Sequence, residues 1–383
     1  MSYWMPSRKR LKPFDTMLLG TIAAILLFGL VMVHSSSSYF AIRRYDTQFY
    51  FLFKQIGFVG IGTVAMLGLA YFDYNKYRKL VYPMLLILAI LLIAVLFTDG
   101  IKGASRWIKI GGFGLQPSEF AKLVLVIYMA HSLSRPGRKM DTFLSGFLNH
   151  LFVPMLIIGL IFIEPDFGTS FLIFILIMTM LFVGGSRMRY LIGTALVAAP
   201  AITLAIVLFP YRLKRVKHFL DSMTLWGPDM DYTLMSYHIR ESMISIGSGG
   251  FNGWGLGNGP MKMYFLPEAH TDFIFSTLAQ ELGFVGSLAL FLAFTILIIQ
   301  GYRIAINCKD VFGTYLAFGI TTLLAFQFLI NMGGVTGLLP PKGITLPLIS
   351  YGGSSLIVCM ASLGILINVQ RQSADGRNSW GSQ

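Results

Sequence analysis

Ten apolar runs, each close to the length that crosses a lipid bilayer, dominate this chain of 383 residues. About 20 apolar residues span a hydrocarbon core. The runs fall roughly at 14–34, 49–72, 80–98, 118–134, 144–163, 167–185, 190–210, 273–300, 313–335 and 346–369. In lipid, every backbone amide and carbonyl must be satisfied inside the protein, so runs of this kind are expected to be helices. The fold class is therefore an all-α polytopic membrane protein with about ten transmembrane helices. Charge content agrees: 12% of residues are charged, against roughly 25% in a soluble protein.

Residues 1–13 form a basic tail carrying Arg8, Lys9, Arg10 and Lys12. The run that follows is too long for the apolar region of a signal peptide, which spans about 7–15 residues, and reads as a retained first helix. Short loops set orientation. On one side lie the basic tail, then Lys76, Arg78 and Lys79, then Arg135, Arg138 and Lys139, then Arg187 and Arg189, Arg303 and Lys309, and Arg371 and Arg377. That side should be cytoplasmic, with both termini inside and residues 371–383 a disordered inner tail. The net charge of +13 then belongs to orientation and to anionic headgroups. No basic stretch is interleaved with stacking aromatics, which argues against nucleic acid. Cys308 and Cys359 are the only cysteines. They lack metal-ligand spacing and suggest no disulfide.

The outer side carries one long loop, 211–272, between the seventh and eighth runs. Leu213, Val216, Phe219, Leu220 and Met223 recur at helical spacing among Arg212, Lys214, Arg215, Lys217 and His218. This predicts a short helix at the membrane interface or a solvated amphipathic one. Gly247, Gly249, Gly250, Gly253, Gly255, Gly257 and Gly259 follow. No strand precedes them and no βαβ unit surrounds them, so they are not a dinucleotide fingerprint. They read instead as irregular backbone packed near a cavity. No internal repeat divides the chain, and one domain is expected over 1–383.

The stretches that could carry chemistry all fall on the outer side. The first is Gly103 to Lys109 followed by Gln116-Pro117-Ser118-Glu119-Phe120-Ala121-Lys122. The second is Glu164-Pro165-Asp166-Phe167-Gly168. The third is Pro267-Glu268-Ala269-His270-Thr271-Asp272-Phe273. The fourth runs from Leu339-Pro340-Pro341-Lys342-Gly343 through Ser350-Tyr351-Gly352-Gly353-Ser354-Ser355. Their clustering on one face implies a single outward site for a headgroup-sized polar ligand.

In order and spacing, the Gln-Pro-Ser-Glu, His-Thr-Asp-Phe and Ser-Tyr-Gly-Gly-Ser-Ser stretches resemble the SEDS family (shape, elongation, division and sporulation), and the likeness covers essentially the whole chain. Pro341-Lys342-Gly343-Ile344-Thr345-Leu346-Pro347 is most similar to the division-type branch; the elongation-type branch usually lacks the Lys-Gly pair and the Thr. The resemblance implies a peptidoglycan glycosyltransferase of the bacterial inner membrane at the division septum. It would polymerise lipid II onto a nascent glycan strand and release polyprenyl diphosphate. It would work with a class B penicillin-binding protein and other division-complex proteins.

Asp272 matches the family's essential aspartate, which implies a general base taking the proton of the acceptor hydroxyl. Its bland alternative is a helix N-cap, since Asp before a helical run is favoured there. A helix N-terminus favours the charged carboxylate and burial favours the neutral acid. Glu268 and His270 flank Asp272; His270 could orient it or contact sugar, or simply be solvated. Arg106 and Lys109 could clamp a diphosphate leaving group whose charge grows as the bond breaks, and Trp107 could stack on a sugar. Interfacial anchoring is the alternative for all three. Glu119 and Lys122 stand at i and i+3 on one helix and can pair, as structural glue or as part of the site, with Glu281 another partner for Lys122. Ser350 could touch ligand, while Gly352, Gly353 and Ser354 read as close helix packing. The residues call for no metal site and no cofactor, and leave a divalent cation open.

Two other classes of function compete. A flippase for the lipid-linked precursor would hold its site near the membrane midplane between repeats, unlike these outward stretches. A scaffold of the division complex would not need Asp272, Arg106 or Lys122.

Overall fold

A computed structural model describes residues 13–98, 106–110, 113–136, 140, 142–207, 213, 237–260, 269–340 and 343–373. The expected interface helix over 212–223 apart from Leu213, Glu268, Lys342, most of the N-tail and the C-tail beyond 373 lie outside the described residues, and Lys109 is described in its backbone alone.

A helix occupies each of the ten apolar runs. In chain order the helices are α1 (Thr16–Tyr45), α2 (Tyr50–Tyr71), α3 (Tyr77–Leu96), α4 (Pro117–Leu133), α5 (Asn149–Ile163), α6 (Phe167–Val183), α7 (Met188–Val207), α8 (Tyr237–Ser248), α9 (Ile274–Asn307), α10 (Val311–Val335) and α11 (Gly353–Gln372). A small antiparallel hairpin, β1 (Ile108–Ile110) and β2 (Phe113–Leu115), precedes α4. Among the described residues seven helices are long and apolar enough to cross a membrane, and α6 is a shorter apolar one. Large apolar side chains such as Val64, Leu86 and Val197 are exposed on α2, α3 and α7, as lipid-facing surfaces should be. The chain is an integral membrane protein.

Local chemistry sets the helix ends. Asp15 caps α1, accepting from the amides of Met17 and Leu18 at 3.0 and 3.2 Å. Asp166 caps α6 through Thr169 N, and Asp310 caps α10 through Gly313 N. Helix α1 runs eleven residues past the expected end at 34, reaching Tyr45. Thirty residues make a helix roughly 45 Å long, against a core about 30 Å thick, and its extended end brings Phe40 beside His270. Helix α11 starts later than expected. Pro347 and Leu348, the latter with φ of 63°, turn the chain before Gly353.

Helices α4, α10 and α11 form the interior. Helix α11 packs along α2, while α10 lies against α4, α6 and α9. Inside this core Lys122 and Glu119 pair at 2.7 Å with side chains 3% and 10% exposed. Glu281 is instead engaged by Ser35, whose hydroxyl lies 2.8 and 2.6 Å from its two oxygens and ties α1 to α9.

Helix α9 is two helices joined at Gly283, whose φ of 63° and ψ of −158° break the ladder. Backbone groups freed inside an apolar span need protein partners. The glycine-rich loop supplies them: Trp254 N donates to Gln280 O at 3.0 Å and Gly255 N to Glu281 O at 2.9 Å, while Phe284 N and Val285 N donate to Gly250 O and Phe251 O. A β-carbon on Gly253 would lie 2.2 Å from Glu281 O. The glycines are there because backbone must reach backbone.

Candidate functional site

Three successive carbonyls of the turn before α9 are each bound from elsewhere in the fold. Tyr351 N donates to His270 O at 2.9 Å. Ser350 Oγ donates to Thr271 O at 2.6 Å. Asn331 Nδ2, from α10, donates to Asp272 O at 2.9 Å and also to Ile344 O at 2.7 Å. Asp272 is half-buried. The cap position of α9 falls one residue later, on Phe273, which has no capping side chain. The turn runs one residue further than an Asp cap requires, and Phe273 O accepts from Ser276 N at 3.0 Å. The Asp272 carboxylate stands beside Gly343, whose φ is +66° and whose β-carbon, if present, would lie 3.4 Å from Asp272 Oδ2.

His270 is packed rather than freely solvated. Its ring stacks on Phe40 at 5.8 Å and lies 4.8 Å from Phe51 and 5.7 Å from Tyr351. Ser350 is 4% exposed, and besides its bond to Thr271 it accepts from Leu346 N at 2.9 Å. Its hydroxyl serves the protein's own backbone.

The remaining outer stretches join this turn through hydrogen bonds. At the start of α11, Ser354 Oγ donates to Gly114 O at 3.1 Å and accepts from Gln116 N at 3.2 Å, which fixes the hairpin. Gln116 Nε2 and Ser118 Oγ both donate to Asp166 Oδ2, at 3.2 and 3.0 Å. Arg106 Nε donates to Glu164 O at 3.3 Å and its Nη2 to Pro165 O. Among the described residues its bonds therefore go to carbonyls, which leave its charge uncancelled. Trp107 is 36% exposed beside it, and its ring covers Gly114. Lys109 pairs with Gly114 in the hairpin backbone. So the structure brings Arg106, Trp107, the hairpin, the 164–166 turn, the 343–355 segment and the Asp272 turn into one connected cluster. Glu119 and Lys122 follow directly within α4, where Glu119 N donates to Gln116 O at 3.1 Å, with their side chains enclosed among the helices.

Sequence reasoning gave three residues here no role of their own, although Glu164 and Gly343 lay in stretches it singled out. Asn331 sits in an apolar run and carries no motif. Gly343 was read as part of a stretch, with no role of its own. Glu164 is fully buried, and neither carboxylate oxygen has a hydrogen-bond partner. Burial pushes its carboxyl up to about 8, helped by the negative charge of Asp166 and opposed by Arg106. A Glu bracketed by apolar residues just ahead of Pro165 was the available signal.

Chemically, the cluster offers a half-buried carboxylate held rigidly by its backbone, a guanidinium with its charge uncancelled, and an exposed indole. These suit proton abstraction, anion stabilisation and sugar stacking.

Comparison with known proteins gives the chain its relatives. A protein of Trichlorobacter lovleyi named probable peptidoglycan glycosyltransferase FtsW is 41% identical over 363 residues, covering 94% of each chain. Among solved structures, a chain from a peptidoglycan synthase complex coordinating polymerization and crosslinking superposes with a TM-score of 0.74 at 28% identity, over 95% of this chain and 99% of that one. The rod shape determining protein RodA of Thermus thermophilus does so with a TM-score of 0.70 at 27% identity, over 95% and 98%. The family model for cell cycle proteins of the FtsW, RodA and SpoVE type matches residues 15–375, and the chain belongs to that family.

Proposed function

We propose that the chain is a peptidoglycan glycosyltransferase that polymerises lipid II. Asp272 acts as the general base, accepting the proton of the acceptor sugar hydroxyl as its oxygen attacks the donor's anomeric carbon. The new glycosidic bond forms as the bond from that carbon to the diphosphate oxygen breaks, and polyprenyl diphosphate leaves. Arg106 and Lys109 stabilise the charge gathering on the diphosphate, and Trp107 and His270 line the sugar path. Glu268 contributes at the rim of the same turn. Glu119 and Lys122 support the site from within the bundle.

The observation that carries this reading is the clasp on His270, Thr271 and Asp272. Three consecutive carbonyls are immobilised, which fixes a carboxylate of the kind a positioned base requires. The relative named as a glycosyltransferase, alike over nearly its whole length, supports the same activity.

The finer setting belongs to the same proposal. Basic inner loops support a bacterial cytoplasmic membrane location with both termini inside. The likeness to a chain of a peptidoglycan synthase complex supports a class B penicillin-binding protein as partner, and the name of the Trichlorobacter relative supports work at the division septum.

The deciding experiment is polymerisation of labelled lipid II by the purified protein with its class B partner. Asp272→Asn should fold, bind the partner and make no glycan. Substantial polymer from that variant would remove Asp272 as the base. A lipid flippase, by contrast, would make no glycan in this assay, and polymerisation by a separate enzyme given accessible precursor would be indifferent to the substitution.

A further inference from the structure

Asn331 lies one turn before the end of α10 and is 4% exposed. Its side-chain nitrogen reaches two carbonyls, Asp272 O and Ile344 O, at 2.9 and 2.7 Å. Two carbonyl acceptors demand a two-donor group, and a primary amide supplies one. The other end of the amide, Oδ1, is buried with no partner. A buried polar atom left unsatisfied costs about 1–3 kcal/mol. Asn331 also stands in an apolar helix, where an aliphatic side chain would avoid that cost. The cost falls where the amide touches the turn that carries the proposed base.

The two carbonyls it joins are the two sides of the carboxylate's setting. One belongs to Asp272 itself. The other belongs to Ile344, next to Gly343, whose backbone lies against Asp272 Oδ2. Asn331 therefore fixes the gap between the carboxylate and the loop that borders it. Ser350 and Tyr351 hold the preceding carbonyls from the far side of the same loop, while Asn331 bridges from α10.

We propose that Asn331 is a positioning residue for glycosyl transfer, setting Asp272 at attack distance by tying its carbonyl to the 343–346 loop. The proposal rests on the reading of Asp272 as the base. A misplacement of about 1 Å at a reacting group costs on the order of 10²-fold in rate, and loss of this clamp releases the turn on one side.

The test uses the purified full chain with its class B partner and labelled lipid II. Asn331→Leu keeps the volume and removes both donors; Asn331→Ser keeps one donor and should fall between Leu and wild type. Turnover should drop by about 10²-fold in the Leu variant while KM for lipid II stays as in wild type, because the side chain touches no substrate. The pH at which activity is half lost should also move, since the carboxylate's surroundings change. Should Leu fail to fold, Ser carries the test with the same readouts. A folded variant with wild-type turnover and pH profile overturns the positioning role while an inactive Asp272→Asn leaves the base standing. A raised KM with unchanged turnover overturns it as well. An active Asp272→Asn overturns both assignments.

Discussion

Gly343 and Asp272 are neighbours in space across 71 positions of sequence, so close that a methyl group on Gly343 would sit 3.4 Å from Asp272 Oδ2. Gly343 also holds φ at +66°, a conformation that costs other residues about 1–2 kcal/mol. Gly343→Ala should therefore lower thermal stability by about that amount. At 3.4 Å the added methyl only touches the carboxylate, so any loss of polymerisation should follow from the strained backbone of the loop and stay within about 10-fold. Unfolding temperature and initial rate, measured together, check this. A stable variant at full speed would show that the carboxylate tolerates a bulkier border.

Arg106 is held by two backbone carbonyls, which position it without neutralising it. Arg106→Ala should reduce turnover by roughly 10²–10³-fold, the scale of losing one preorganised stabiliser. Arg106→Lys should rescue little, because an ammonium cannot reproduce the fork that meets both carbonyls. Lys109→Ala should act in the same direction. Full polymerisation by both alanine variants would reduce this hairpin to an anchor in the headgroup layer.

Glu164 gives a pH dependence with a definite sign. Its ordinary value is 4.5 and burial lifts the folded value to about 8. Between those values the folded chain holds a proton that the unfolded chain has released, so stability falls as pH rises through that window. Glu164→Gln cannot ionise and should lose that decline. Unfolding temperatures of the two proteins should be similar near pH 4 and separate progressively towards pH 8, with the Gln variant the more stable. Parallel curves would mean the carboxyl finds a counter-charge.

Lys122 and Glu119 are a desolvated pair. Removing one member leaves a buried charge alone, at a cost of about 3–5 kcal/mol. Lys122→Met should destabilise the protein strongly, and the double variant Glu119→Gln, Lys122→Met should recover much of the loss. Unfolding in detergent measures both. Recovery of stability without recovery of turnover would give the pair a part in catalysis as well.

The helices were legible because lipid leaves few choices: long apolar runs must satisfy their backbones internally, and a helix fills each of the ten. The outer motifs were legible through residue types that serve chemistry, and the fold joins them. What stayed hidden was set by tertiary contact. Asn331 looks like one polar residue among apolar ones until α10 packs against the turn at Asp272. Asp272 looks like a cap until the turn is seen to run on to Phe273. Among the described residues Glu281 is bound by Ser35 on the first helix, a pairing of residues 246 positions apart that no local spacing encodes. The pairing considered for Lys122 with Glu281 gives way for the same reason: Glu119 is nearer along its own helix.

The break at Gly283 has a mechanical meaning. A continuous helix is a stiff rod, and tilting one end swings the other. Helix α9 is instead two rods meeting at a joint, fastened sideways to the 249–255 loop by four hydrogen bonds. A tilt of the long rod is taken up at the joint instead of swinging the short one. A displacement of α8 and its loop reaches the short rod that follows Asp272 through those hydrogen bonds. The aspartate is thereby coupled more closely to the 249–255 loop than to the far end of its own helix.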